Sequence, residues 1–261
     1  MRVMSAVVLA CLLIASGAGA QESAREDALL WLEFDDVVDG GFECAVTQRR
    51  AEVSGTPRTH DGALLSSQFE TVSVPGLPVD GPTRELTLAT WVAPPRQPQS
   101  YQSILYRGLR QGDEMQQIHF YLCLWEGRVE FKFKDAEGAW QGIMRNGEDF
   151  SIPGQPTVPA SEVPRVEPKR WNHVAATFNR GRIVLYLNGE EVLAGTTTVQ
   201  EFVPSAHPLL IGEAQALGGG RAYLFDGLID GVRILERALS AEELADLFAR
   251  ERAAHPDEPL E

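Results

Sequence analysis

Residues 180–189 read Arg180-Gly181-Arg182-Ile183-Val184-Leu185-Tyr186-Leu187-Asn188-Gly189, and their reading decides the fold class. Ile183 to Leu187 is an unbroken apolar run, rich in β-branched and aromatic residues and bounded by turn formers, which is strand length. Because it is apolar on both faces, it belongs in the middle of a sheet. Arg180-Gly181 before it is a tight turn, and Asn188-Gly189 after it readily supplies the two positive φ angles of a type I′ hairpin. The chain therefore reverses at both ends of this strand.

Working outward, Leu86 to Val92, Ile118 to Leu124 and Val129 to Phe133 have the same character, with Glu126-Gly127 as a further hairpin turn. Val129, Phe131 and Phe133 alternate with Glu130, Lys132 and Lys134, which predicts one buried and one wet face for that strand. Many short strands, hairpin links and no βαβ rhythm give an all-β chain folded as an antiparallel two-sheet sandwich. Asn146 to Lys169 holds Pro153, Pro156, Pro159, Pro164 and Pro168, a density that suits a long surface loop and not a central strand. Ser240-Ala241-Glu242-Glu243 is a capping box with Leu239 and Leu244 at the staple positions, so a short C-terminal helix starts there. Leu244, Leu247 and Phe248 form its apolar stripe, and residues 255–261 are expected to be a flexible tail. No linker divides residues 21–254 into two domains.

The chain has 261 residues, 23 Lys and Arg against 37 Asp and Glu, a net charge of −14, and 44% apolar residues. The apolar share excludes wholesale disorder, and the basic deficit removes the electrostatic footprint that nucleic acid requires. Residues 1–20 read as a signal peptide: one charge at Arg2, an apolar run from Val3 to Ala15, and Ala18-Gly19-Ala20 before a cut at Gln21. A lipoprotein cut at Cys11 is the rival, disfavoured because the apolar run continues past the cysteine. The expected location is secreted, periplasmic or cell-surface, without stable membrane insertion after cleavage. In that setting Cys44 and Cys123 are either a disulfide or two separate buried hydrophobes, and spacing does not decide between them.

Five ordered blocks carry a resemblance. Trp171 to Phe178, Ile183 to Gly189, Leu209-Leu210-Ile211-Gly212, Phe225 to Ile234 and Arg237-Ala238-Leu239-Ser240 resemble the laminin-G-like jelly-roll domains of the concanavalin A-like lectin/glucanase superfamily. Leu32-Glu33-Phe34-Asp35 looks like that family's first strand, and Leu86 to Val92 like its Trp-bearing early strand. The resemblance implies a jelly-roll sandwich and a structural packing role for His173.

Glucanase relatives use a Glu-x-Asp-x-x-Glu strand to set two carboxyl groups across a sugar cleft. Here the nearest string is Glu33-Phe34-Asp35-Asp36-Val37-Val38, and Val38, which cannot transfer a proton, stands in place of the acid/base glutamate. No other catalytic constellation is present, and Gly218-Gly219-Gly220 is a flexible turn and not a phosphate loop. Asp35, Asp36 and Asp39 after the first strand and Asp230 on the last one form a candidate structural Ca²⁺ site, against an ordinary acidic turn and a strand-end hydrogen bond. For glycans, which pair apolar C–H faces with hydroxyls, Trp140 and Trp125 are read as the exposed rings, with Tyr121, Tyr101 and Tyr223 as weaker candidates. Trp31, Trp91 and Trp171 read as core. The expected function is an exported, non-catalytic recognition module for glycans. An extracellular protein-interaction or assembly domain and a divergent carbohydrate-active enzyme are the alternatives.

Overall fold

The computed structural model describes residues 25, 27–47, 49–66, 71–77, 83–111, 114–216 and 220–256. The expected signal peptide, Cys11, Gly218 and Gly219 lie outside them. In chain order the early strands are β1 (Ala28–Leu32), β2 (Gly41–Glu43), β3 (Arg50–Ser54), β4 (Thr59–His60), β5 (Ala63–Ser66) and β6 (Thr71–Val74). The long middle strands are β7 (Glu85–Ala93), β8 (Tyr101–Gln111), β9 (Glu114–Trp125), β10 (Arg128–Lys134) and β11 (Trp140–Asn146). Short β12 (Asp149–Ser151) and β13 (Val158–Pro159) precede β14 (Asn172–Asn179), β15 (Arg182–Leu187), β16 (Glu190–Thr196) and β17 (Leu209–Ile211). A two-strand ribbon, β18 (Ala214–Gln215) and β19 (Arg221–Ala222), leads to β20 (Gly227–Leu235) and the helix α1 (Ala241–Glu251).

The strands form two large antiparallel sheets, as the sequence predicts. The first runs β16-β15-β14-β7-β20-β5-β4, with β1 also paired to β20. The second runs β13-β12-β11-β10-β9-β8-β17-β6-β3-β2. Strand β15 is flanked on both sides, and its two hairpin turns hold positive φ at Arg180-Gly181 and Asn188-Gly189. The main core lies between the sheets, built from alternate residues such as Leu86, Leu88, Phe120, Leu122, Phe131, Phe133, Phe178 and Leu185. Residues 146–169 do more than cross the surface. They add β12 and β13 at the edge of the second sheet, and Ile152, Val163 and Val166 are buried against the core.

The helix starts at the Ser240–Glu243 capping box and buries Leu244 and Leu247. Trp31, Trp91 and Trp171 are buried, as expected, but Trp91 and Trp171 belong to a separate apolar cluster with Ala63, Ala93 and Leu228. Phe248 packs against that cluster, and His255 lies on it with its ring nearly parallel to the Trp91 indole. The expectation of a flexible tail from residue 255 does not hold for His255, which is 3% exposed, and residues 257–261 lie outside the described residues. Trp91 Nε1 donates to Glu251 Oε2 at 2.8 Å, and Arg233 bridges Glu251 and Glu33 beneath the helix. His173 is fully buried beside Trp91 and Phe248. Cys44 and Cys123 are both buried free thiols.

Candidate functional site

Strands β8 to β11 have two faces. Leu122, Leu124, Phe131 and Phe133 point into the main core, so alternation sends Tyr121, Cys123, Glu130 and Lys132 to the opposite face. That face of β10 is dry, which corrects the sequence reading: Glu130 is fully buried and Lys132 is 7% exposed. The cause is lateral cover. The Lys132 ammonium lies 4.2, 5.1 and 5.8 Å from the ring centres of Tyr101 on β8, Tyr121 on β9 and Trp140 on β11. These are cation–π distances, and the cation is desolvated, where such contacts are strongest.

A carboxylate balances the charge. Lys132 Nζ donates to Glu130 Oε2 at 2.7 Å, the Cys123 thiol lies 3.8 Å from the same oxygen, and the Arg145 backbone N–H donates to Glu130 Oε1 at 2.7 Å. Burial pulls the Lys132 pKa down, but the charge and hydrogen bond of the adjacent Glu130 carboxylate work against it, and the ammonium is held above the usual lysine value. Burial also pushes the Cys123 thiol and the Tyr121 and Tyr101 phenols up, so these groups stay neutral around the ion pair. Tyr106 packs edge-on against Tyr121 at 5.4 Å and closes the floor.

Above this floor, Tyr101 and Trp140 are partly exposed and Tyr223 is 43% exposed. Tyr223 stands on the loop between β19 and β20, 5.7 Å from the Tyr101 ring and inclined at 66° to it. Its φ is +51°, a left-handed conformation that costs a bulky residue on the order of 1–3 kcal/mol. The Ser103 N–H donates to its carbonyl at 2.6 Å, and the ribbon leading to it is tied by the Arg221–Glu213 ion pair. The result is a row of three solvent-facing rings laid across the second sheet and backed by a buried ion pair. Such a surface offers apolar faces and phenol hydroxyls, with the Lys134 ammonium 5.0 Å from the Trp140 ring centre.

Trp140 and Tyr121 are thus brought together, and Tyr101 and Tyr223 join them. Trp125 is not with them. It is 5% exposed, packed in the main core 5.8 Å from Phe150, so the expectation of an exposed hairpin ring does not hold. Sequence reasoning missed Glu130 and Lys132; the available signal was an oppositely charged pair on one strand face, in register with Cys123 and Tyr121.

The candidate calcium ligands do not converge. Asp39 and Gly40, with φ of 46° and 78°, make the turn that closes the Val38–Gly41 bridge, and Asp35 and Asp36 are exposed beside it. Asp230 Oδ1 accepts from the Gly231 N–H at 2.7 Å, and its Oδ2 lies 2.9 Å from His255 Nε2. Among the described residues no group of three or more His, Cys, Asp or Glu side chains is placed to hold a metal ion. Glu33 is committed to Arg233 and the Trp31 indole N–H, and burial raises its pKa.

A sequence model described as the concanavalin A-like lectin/glucanases superfamily, of the laminin G type, matches residues 66–245. The chain belongs to this family. No curated protein matches its sequence. Among solved structures, this laminin G-like domain superposes on the binding domain of botulinum neurotoxin serotype D with a TM-score of 0.60 and 16% identity, over 89% of this chain and 53% of that one. The serotype D ligand-binding domain in complex with N-acetylneuraminic acid gives 0.59 and 15%, over 89% and 53%. The binding domain of Paraclostridial Mosquitocidal Protein 1 gives 0.61 and 16%, over 86% and 52%. The chain spans about half the length of these structures, and at such identities the likeness is one of fold. No described helix is long and apolar enough to cross a membrane.

Proposed function

We propose that this laminin G-like domain is a non-catalytic glycan-binding module and that the site is the Tyr223–Tyr101–Trp140 row. The observation that carries the reading is a strained, exposed tyrosine placed beside two more solvent-facing rings on a face whose charges are internally balanced. Stacking on sugar C–H faces needs such open rings, and fixing them in advance lowers the entropy cost of binding. Hydrolysis with retention would need two carboxyl groups about 5 Å apart and free to exchange protons. On this face both Glu130 oxygens are already engaged, and Glu213 is held by Arg221 and Thr71. A glycan complex within the fold neighbourhood supports the reading.

Export is part of the proposal and rests on the apolar run and Ala18-Gly19-Ala20; intact-mass analysis of material from the native host tests it by a mature start at Gln21. The function is tested on a panel of immobilised neutral and acidic polysaccharides. Retention of the protein on at least one, weakened tenfold or more by Trp140→Ala and by Tyr223→Ala with the fold intact, is the expected result. A protein that ignores every glycan belongs to the interaction-domain class instead, and release of reducing sugar would make it an enzyme.

A further inference from the structure

On the first sheet, away from the ring row, β5, β7 and β20 end around a cavity of about 400 Å³. This is within the size of small-ligand sites, about 300–1,000 Å³. Its floor is apolar: Leu65 from β5, Ala93 from β7 and Leu228 from β20, with Pro94 and Pro95 as a stiff wall. His60, Asp226 and Lys169 stand at the rim.

The rim charges are unequal. Asp226 Oδ2 is already 2.8 Å from Arg96 Nη2, which neutralises it. Lys169 has no ion-pair partner among the described residues, in a chain whose net charge is −14. Its backbone is held at φ +59° by an N–H bond of 2.7 Å to the Pro94 carbonyl, so a strained residue anchors the ammonium side chain to the cavity wall. Strain of this kind gathers at ligand clamps, because it persists only where the surroundings enforce it. The His60 imidazole at the rim lies 3.5 Å from the Asp61 carboxylate.

We infer that this cavity binds a small carboxylic acid with an apolar body, its hydrocarbon part on Leu65, Ala93 and Leu228 and its carboxylate at Lys169. The charge on Lys169 complements the acid, and the floor removes the body from water. The inference concerns a different sheet from the ring row and stands or falls independently of glycan binding.

Isothermal titration of the full chain with 4-phenylbutyrate and with 4-phenyl-1-butanol tests it, the two probes sharing a body and differing in charge. The acid is expected to bind saturably and at least tenfold tighter than the alcohol. Lys169→Gln should erase that difference while leaving the alcohol unchanged, a result that loss of folding does not produce. Leu228→Trp, which fills the floor, should abolish both, and Leu65→Trp at the half-exposed edge should do the same should the first variant fold poorly. Equal binding of acid and alcohol, or no binding of either, overturns the inference.

Discussion

The imidazole of His255 lies flat on the indole of Trp91, with ring centres 4.2 Å apart and planes within 4°. Trp171 meets the same imidazole edge-on at 5.0 Å, while its nitrogens face the Glu251 carbonyl and the Asp230 carboxylate, each at 2.9 Å. One residue after the helix thus fastens the C-terminal segment to β7 and β20. His255→Ala should destabilise the domain by about 2 kcal/mol, from a lost aromatic pair and a charged hydrogen bond left open. Urea unfolding followed by tryptophan fluorescence measures this, and an unchanged midpoint would show that the anchor is idle.

The Lys132–Glu130 pair should behave as a buried ion pair. Glu130→Gln or Lys132→Met alone leaves one charge without its counterion and is expected to cost about 3–5 kcal/mol. Combining Lys132→Met with Glu130→Gln removes both charges and should recover most of the loss. A double variant no better than the sum of the single ones would show that the pair is not coupled.

Tyr223 separates stability from binding. Replacing it with glycine relieves the left-handed backbone at φ +51°, so Tyr223→Gly should raise stability by about 1 kcal/mol while weakening glycan retention. A variant that loses stability, or one that binds glycans as well as the parent, contradicts the role given to this ring.

Two histidines set a pH dependence. Burial, aided by Arg107, lowers His119 to about 3, and burial lowers His173 to about 4 despite the pull of Glu251, both from 6.5. Between pH 6.5 and about 4 these two sites therefore bind more protons in the unfolded chain than in the folded one. Their contribution is fully present above pH 6.5 and is lost as pH falls, by up to about 1.4 kcal/mol per pH unit for each histidine. Glu33 and Glu213, raised chiefly by burial, act in the opposite sense. The difference between the parent and His119→Phe isolates the effect: the variant, which sets another ring beside Phe120 and Phe202, should lose less stability from pH 7 to pH 4.5. Parallel curves would refute it.

Local signals carried much of this fold. The turns at Glu126-Gly127, Arg180-Gly181 and Asn188-Gly189 all hold the positive φ angles their sequences suggest, and the Ser240 capping box forms as read. The site was less legible because its decisive contacts join residues distant along the chain. Alternation places Glu130 and Lys132 together on the outer side of β10 but says nothing of Tyr101 and Trp140 closing over them from β8 and β11. A charged residue on a half-amphipathic strand reads as solvated unless the neighbouring strands are known. Trp125 failed for the related reason that a ring at a strand end can turn inward, here onto Phe150. Asp35 to Asp39 looked like ligands because carboxylates near a strand end serve metals and turns alike.

The placement of β20 has a consequence for biogenesis. This strand lies beside β7, β5 and β1, so the last of the described strands occupies the interior of a sheet between partners that lie far earlier in the sequence. Until Gly227–Leu235 is delivered, β1 has no partner there and β7 keeps an open flank, the kind of unpaired edge that invites wrong association. Assembly is therefore a late event governed by pairings between distant segments, which puts the domain among slowly maturing β proteins.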